Sequence, residues 1–297
     1  MNRRKKWLAA LFCTALTLTL LGRIAWNSYR SALADFAPNP ESSILLHSEQ
    51  VGIAGLEEVS FINNALKVRG WYVPSTNRAA VIVTHGTNAD RSSMLAEIRL
   101  LAAAGFGVLA FDWPGTGQSQ GAIKWGVNEQ QALREALDWL SQRPDVDVEK
   151  IGALGFSCGG IIVAQVAAVD TRLRAVVLEA TPTSFKDYVL WDHRRWGWLS
   201  EKPAEWALRT AGLRLDLPAP SQVIKKVAPR PVLLIAGDQD EVVPTAMVRD
   251  LFDATGEPKQ LWIASGARHG LYAEAQPAEY GRVLRQFYTD SLLSRLD

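Results

Sequence analysis

The chain has 297 residues, 48% hydrophobic and 21% charged, and its 32 basic and 31 acidic residues leave a net charge of +1. That is enough apolar material for one sizeable core, and it lacks the charge excess that nucleic acid or another polyanion demands. Of the two cysteines, Cys13 lies in an apolar run and Cys158 beside a glycine pair, which argues against a disulfide framework and against a Cys-rich metal site.

The N-terminus opens on a basic cluster, Arg3-Arg4-Lys5-Lys6, and the next sixteen residues, 7–22, carry no charge. Arg23 interrupts, but Ile24, Ala25 and Trp26 extend the run to about 20 residues, or ~30 Å as a helix, which is the thickness of a bilayer core. Trp7 and Trp26 stand where interfacial aromatics belong, and Arg23 is long enough to snorkel to the headgroups. The spacing predicts an uncleaved anchor over residues 1–30. A cleaved signal peptide shares its n-region and h-region, but the nearest small-x-small site, Ala32-Leu33-Ala34, lies far from the end of the apolar run. Basic residues before the helix outnumber Arg23 and Arg30 after it. The expected topology is therefore single-pass, with a cytoplasmic N-terminus and an extracytoplasmic (periplasmic or extracellular) remainder.

Residues 31–50, with Pro38 and Pro40, read as a connector, and 51–297 as one catalytic domain. Residues 57–62 and 67–73 alternate apolar and polar around Asn63-Asn64, which predicts a β-hairpin. A fully apolar strand at 79–83 ends at His85-Gly86. Asp90 then caps a helix whose apolar face is Met94, Leu95, Ile98 and Leu101. Strands follow at 107–111, 151–156, 175–178, 232–236 and 261–264. The helices between them carry Leu133, Ala136, Leu137 and Leu140, then Ile161, Ile162, Val166 and Val169, and a terminal helix covers 279–292. This alternation predicts an α/β fold with a mostly parallel sheet and helices on both faces.

Gly155-Phe156-Ser157-Cys158-Gly159 places a Gly-x-Ser-x-Gly run where a strand ends and a helix begins. Glycines there leave room for a sharp turn that presents a serine hydroxyl at the helix N-terminus. The chain has four histidines. Of these only His269 follows a late strand, C-terminal both to the serine and to a candidate acid. The turn after the strand at 232–236 offers Asp238, Asp240 and Glu241, and spacing alone does not choose between Asp238 and Asp240. Donors for a developing oxyanion are expected from the backbone N–H of Cys158 and, from the loop after His85-Gly86, of Thr87.

Five segments in order, His85-Gly86, Asp112-Trp113-Pro114-Gly115, Gly155-x-Ser157-x-Gly159, Gly237-x-x-Asp240 and Gly266-Ala267-x-His269, resemble the landmarks of the α/β-hydrolase superfamily. More narrowly, they resemble the serine hydrolases related to serine aminopeptidases and acyl hydrolases. The resemblance covers about residues 55–295. It implies a triad of Ser157, Asp240 and His269 working without cofactor or metal, with Asp112 in a structural motif. Thr87-Asn88 departs from the further glycines that lipases of this superfamily often carry.

Residues 181–228 fall where this fold commonly carries a cap. Trp191, Trp196 and Trp198 in that stretch are candidates for the wall of an apolar acyl or aryl pocket, with satellite packing or membrane contact as the alternatives. His193, Arg194 and Arg195 could meet an anionic substrate group, although a solvated charge run is the simpler reading. The function expected is a membrane-anchored hydrolase cleaving a small-molecule ester or thioester through an acyl-serine. An aminopeptidase-like amidase and a catalytically silent hydrolase-fold binding protein remain as alternatives. No nucleic-acid partner is expected, and the sequence leaves the oligomeric state open.

Overall fold

In a computed structural model, the structure describes residues 3–35, 48–63, 65–214 and 217–294. The contacts divide the chain into two compact units: residues 1–37 with 186–213, and residues 38–185 with 214–297.

The larger unit is built on one eight-stranded sheet in the order β1-β2-β4-β3-β5-β6-β7-β8. Its strands are β1 (Glu57–Asn63), β2 (Leu66–Val73), β3 (Ala80–Thr84), β4 (Gly107–Phe111), β5 (Ile151–Phe156), β6 (Leu173–Glu179), β7 (Val232–Gly237) and β8 (Lys259–Ala264). β1 and β2 pair antiparallel as the expected hairpin, and β2 also runs antiparallel to β4. Asn64, expected at the hairpin turn, lies outside the described residues. The remaining neighbours, from β4 through β3, β5, β6 and β7 to β8, are parallel. Every residue of β3, β4 and β7 is buried. Successive side chains of a strand point to opposite faces, so both faces of the sheet centre are covered. That is why these strands read in sequence as unbroken apolar runs.

The covering helices of this unit include α2 (Leu95–Ala103), α3 (Val127–Ser141), α4 (Cys158–Ala167), α7 (Thr245–Ala254) and α8 (Pro277–Tyr288). Asp90 does cap, but what it caps is a 3₁₀ turn, Arg91–Met94, that precedes α2: its carboxylate accepts the Ser92 N–H at 2.8 Å. Leu133, Ala136, Leu137 and Leu140 form the buried stripe of α3. α4 is buried along its whole length and stops at Ala167, leaving Val169 71% exposed beyond it.

The smaller unit contains α1 (Arg3–Asp35), most of α5 (Phe185–His193) and α6 (Trp198–Thr210), with α1 packed against α6. α1 runs on to Asp35, past the expected end of the anchor at residue 30, and residues 36–47 of the expected connector lie outside the described residues. Among the described residues α1 is the one helix long and apolar enough to cross a membrane, and none of its most apolar window is buried. It fits a membrane anchor or a signal sequence.

Candidate active site

The turn from β5 into α4 shows why the sequence needs glycine on both sides of Ser157. A Cβ on Gly155 would lie 2.5 Å from Gly160 Cα, one on Gly159 would overlap the His85 carbonyl, and one on Gly160 would overlap Thr181 Oγ1. With those side chains absent the chain turns tightly enough to hold Ser157 at φ 52°, ψ −123°, a strained conformation for a residue with a side chain. Backbone bonds fix it there: Ser157 N–H donates to the Glu179 carbonyl at 2.8 Å, and the Gly160 N–H donates to the Ser157 carbonyl at 3.0 Å. Ser157 is 2% exposed, so its hydroxyl sits in a nearly dry setting.

His269 lies in the loop after β8. Its Nδ1–H donates to Asp240 Oδ2 at 2.8 Å, which leaves the lone pair on Nε2. Asp240 is itself held by its own turn, with Oδ1 accepting the N–H groups of Val242 at 2.9 Å and Val243 at 2.8 Å. Tyr272 adds a hydroxyl donor to Oδ2 at 3.3 Å, and burial together with neighbouring carboxylates pushes that phenol's pKa up. The other two acids of the turn are engaged elsewhere. Asp238 accepts the Gly266 N–H at 2.7 Å, and Glu241 lies 3.8 Å from Arg268.

Phe156 connects the two halves of the site. Its ring centroid is 4.8 Å from that of His269, it packs against Gly270, and it borders Gly86 together with Ser157 Cβ. The imidazole is thus held against the residue that immediately precedes the serine. Among the described residues no hydrogen bond yet joins Ser157 Oγ to His269 Nε2. In such sites this contact is often long until substrate binds.

Both expected oxyanion donors adjoin the serine. The Cys158 thiol contacts the side chains of Thr87 and Ser157, so the loop after β3 and the start of α4 meet here. Among the described residues neither the Cys158 nor the Thr87 N–H donates to a backbone carbonyl outside its own helix or strand. Burial pushes the Cys158 thiol up to about 12, which removes it as a competing nucleophile at neutral pH.

His85 and Asp112 are structural supports. His85 is fully buried and stacked on Trp113 with ring centroids 4.7 Å apart. Its Nε2 accepts the Trp113 N–H at 3.1 Å, so Nδ1 carries the proton and donates to the Gly86 carbonyl at 2.7 Å. Burial holds its pKa below the ordinary value, so it is a neutral clamp between the loops after β3 and β4. Asp112 is salt-bridged to Arg91 and accepts the Gln118 N–H at 2.8 Å. Burial raises its pKa against the pull of the Arg91 guanidinium.

The three cap tryptophans and His193 belong to the smaller unit. Trp191 is half-buried with Arg194 over its ring, whereas Trp196 and Trp198 are 54% and 75% exposed. His193 points inward: its Nδ1 lies 2.7 Å from Ser28 Oγ. Residues that sequence reasoning missed are Tyr272, Phe156 in its role against His269, and a buried cluster next to the elbow. In that cluster the Tyr280 hydroxyl lies 2.6 Å from Glu97 Oε1 and 2.9 Å from Glu179 Oε2. No local motif marks any of them, because each acts on a partner distant in sequence.

Comparison with known proteins agrees with this architecture. A family model described as the alpha/beta hydrolase fold matches residues 79–215. An uncharacterized protein of Mycobacterium tuberculosis is 30% identical over 278 residues, covering 90% of this chain and 89% of its own length. A thiohydrolase of Aspergillus aculeatus is 29% identical over 59% of this chain and 57% of its own. Among solved structures, an esterase of Pyrococcus furiosus superposes with a TM-score of 0.68 at 21% identity, covering 83% of this chain and 94% of the esterase. The family match runs through β3, the elbow and the insertion after β6, and the Mycobacterium relative aligns over nearly its whole length, so the chain belongs to the α/β-hydrolase superfamily of hydrolases.

Proposed function

We propose that the chain is a serine hydrolase that cleaves an ester or thioester through an acyl-Ser157 intermediate. One observation carries the reading: the hydrogen-bonded Asp240–His269 pair rests on Phe156, next to a serine held in a strained strand-to-helix turn. His269 Nε2 takes the Ser157 hydroxyl proton as Oγ attacks the substrate carbonyl, then gives it to the leaving group. Water repeats the sequence to release the acid. Asp240 holds the imidazole tautomer and stabilises the imidazolium, while the N–H groups of Cys158 and Thr87 stabilise the oxyanion. A relative named as a thiohydrolase favours an ester or thioester over an amide. The proposal divides the chain into an anchor (1–30), a connector (31–50) and a catalytic domain (51–297) with its cap insertion at 181–228. It puts the N-terminus in the cytoplasm and the catalytic domain outside it.

The test is a panel of p-nitrophenyl esters of graded chain length, acyl thioesters and aminoacyl amides, run with the wild-type chain and Ser157→Ala. Turnover of esters or thioesters that vanishes in Ser157→Ala is expected. Turnover of aminoacyl amides alone would move the assignment to a peptidase, and no turnover of any of them would favour a silent binding protein.

A further inference from the structure

The smaller unit contains a hollow of about 500 Å³ between the end of α1 and α6, walled by Ala25, Trp26 and Tyr29 on one side and Trp198, Pro203 and Trp206 on the other. Lys202 is the one charged residue on it. The aromatic walls are in contact: Trp26 stacks on Tyr29 at 5.9 Å, and the Tyr29 ring meets that of Trp206 at a tilt, 4.9 Å between ring centroids. Polar bonds fix the two sides. Ser28 Oγ donates to the Ser200 carbonyl at 2.7 Å and accepts from His193 Nδ1 at 2.7 Å, and Tyr29 OH meets Thr210 Oγ1 at 3.1 Å. The hollow is therefore a built feature, and yet Trp26, Trp198 and Trp206 around it are more than half exposed. So large an apolar surface on a charged, otherwise well-packed chain marks a binding face.

Its position along α1 identifies the occupant. The exposed apolar side chains of α1 run from Trp7 through Leu21 to Trp26, and the hollow, lined from Gly22 to Tyr29, takes up the C-terminal end of that run. With α1 across a bilayer, the hollow lies where acyl chains meet headgroups, the depth at which tryptophan rings concentrate and a lysine reaches phosphate. Helix pairs of this kind are a common place for ligand pockets, and the volume is within their usual range.

We propose that this hollow takes up a bilayer phospholipid, its acyl chain against the tryptophans and its phosphate at Lys202, so that α6 rests on the membrane surface. This rests on the reading of α1 as a membrane-spanning anchor. The full chain is reconstituted in phosphatidylcholine vesicles doped with a phosphatidylcholine carrying a diazirine in its acyl chain, irradiated, and mapped by mass spectrometry. Carbonate-resistant pelleting and the mature N-terminus report insertion separately. Adducts are expected on 198–206 as well as on 7–21. Ala25→Trp, which fills the hollow, should lose the adducts on 198–206 and keep those on 7–21. Trp198→Ala, which removes an exposed ring, should weaken the 198–206 adducts without touching the core. An inserted protein labelled on 7–21 alone would overturn the lipid site and leave the anchor standing. Crosslinks between two copies through 198–206 would overturn it in favour of a self-association face. Carbonate extraction, or a mature chain beginning beyond residue 25, would overturn the anchor and the lipid site together.

Discussion

The turn after β7 carries Asp238, Asp240 and Glu241, and each makes a different contact: backbone of the next loop for Asp238, imidazole for Asp240, a distant guanidinium for Glu241. Asp240→Asn keeps the shape but replaces an acceptor facing His269 Nδ1–H by an amide, and it should lower kcat by roughly 10³ to 10⁴-fold with the fold intact. Asp238→Asn retains an acceptor for Gly266, and Glu241 is exposed, so Asp238→Asn and Glu241→Gln should each cost less than about tenfold, or ~1.4 kcal/mol. Steady-state kinetics with circular dichroism as a folding control checks all three. A dead Asp238 variant beside an active Asp240 variant would contradict the assignment. Ser157 and His269 could be singled out as candidates in the sequence because a five-residue pattern and chain order mark them. The choice of acid was not, since a loop can aim either aspartate at the imidazole, and only the resemblance favoured Asp240. Tyr272 was invisible because its partner lies 32 residues upstream.

Among the elements, the elbow depends on the close approach of α4 to the segment after β6. Gly160→Ala drives a methyl into Thr181, and overpacking of this sort costs typically ~1–3 kcal/mol. The variant should melt lower than wild type, and Gly160→Ala/Thr181→Ala should recover part of the loss because the hydroxyl and methyl of Thr181 are then gone. A Gly160→Ala protein with unchanged melting temperature would show that the turn has room the structure does not give it. Most strands were legible for a simple reason: a parallel strand covered on both faces must be apolar throughout, and β3, β4, β5 and β7 are short apolar runs bounded by turn residues. α1 was underestimated at its C-terminal end because residues 31–35 lead directly into the segment bearing Pro38 and Pro40 and read as connector. They continue the helix one turn past Ser28 and Tyr29, whose polar groups meet His193, Ser200 and Thr210.

For the whole molecule, one property follows from where charge is buried. Tyr280 has one hydroxyl proton between Glu97 and Glu179, so it donates to one carboxyl and accepts from the other, which must be protonated. Burial is the main cause that raises both carboxyls, and Glu97 and Glu274 raise Glu179 further. The unfolded carboxyls ionise near 4.5 while the folded pair keeps its proton to higher pH. This contribution to stability is therefore full below 4.5 and is lost as pH rises toward the folded value. Glu179→Gln, always neutral, should show a smaller fall in melting temperature than wild type as pH rises above 4.5. An equal or steeper fall would contradict the shared proton. Membrane behaviour follows instead from the proposed anchor. About 20 apolar residues insert more firmly than a charged surface docks, so the protein should stay with membranes through high salt. A cysteine placed in the catalytic domain should react with an impermeant reagent in intact cells, and labelling seen only after lysis would reverse the proposed orientation.

The measurement that bears most directly on the central claim is covalent labelling by a fluorophosphonate, which reacts with a serine only where a base and oxyanion donors activate it. Wild-type protein should label stoichiometrically at Ser157, with the adduct mapped to the peptide containing Gly155 to Gly160. His269→Ala should label far more slowly, and Ser157→Ala should not label at all. Undiminished labelling of Ser157→Ala, or a wild-type chain that stays unlabelled while folded, would contradict the account.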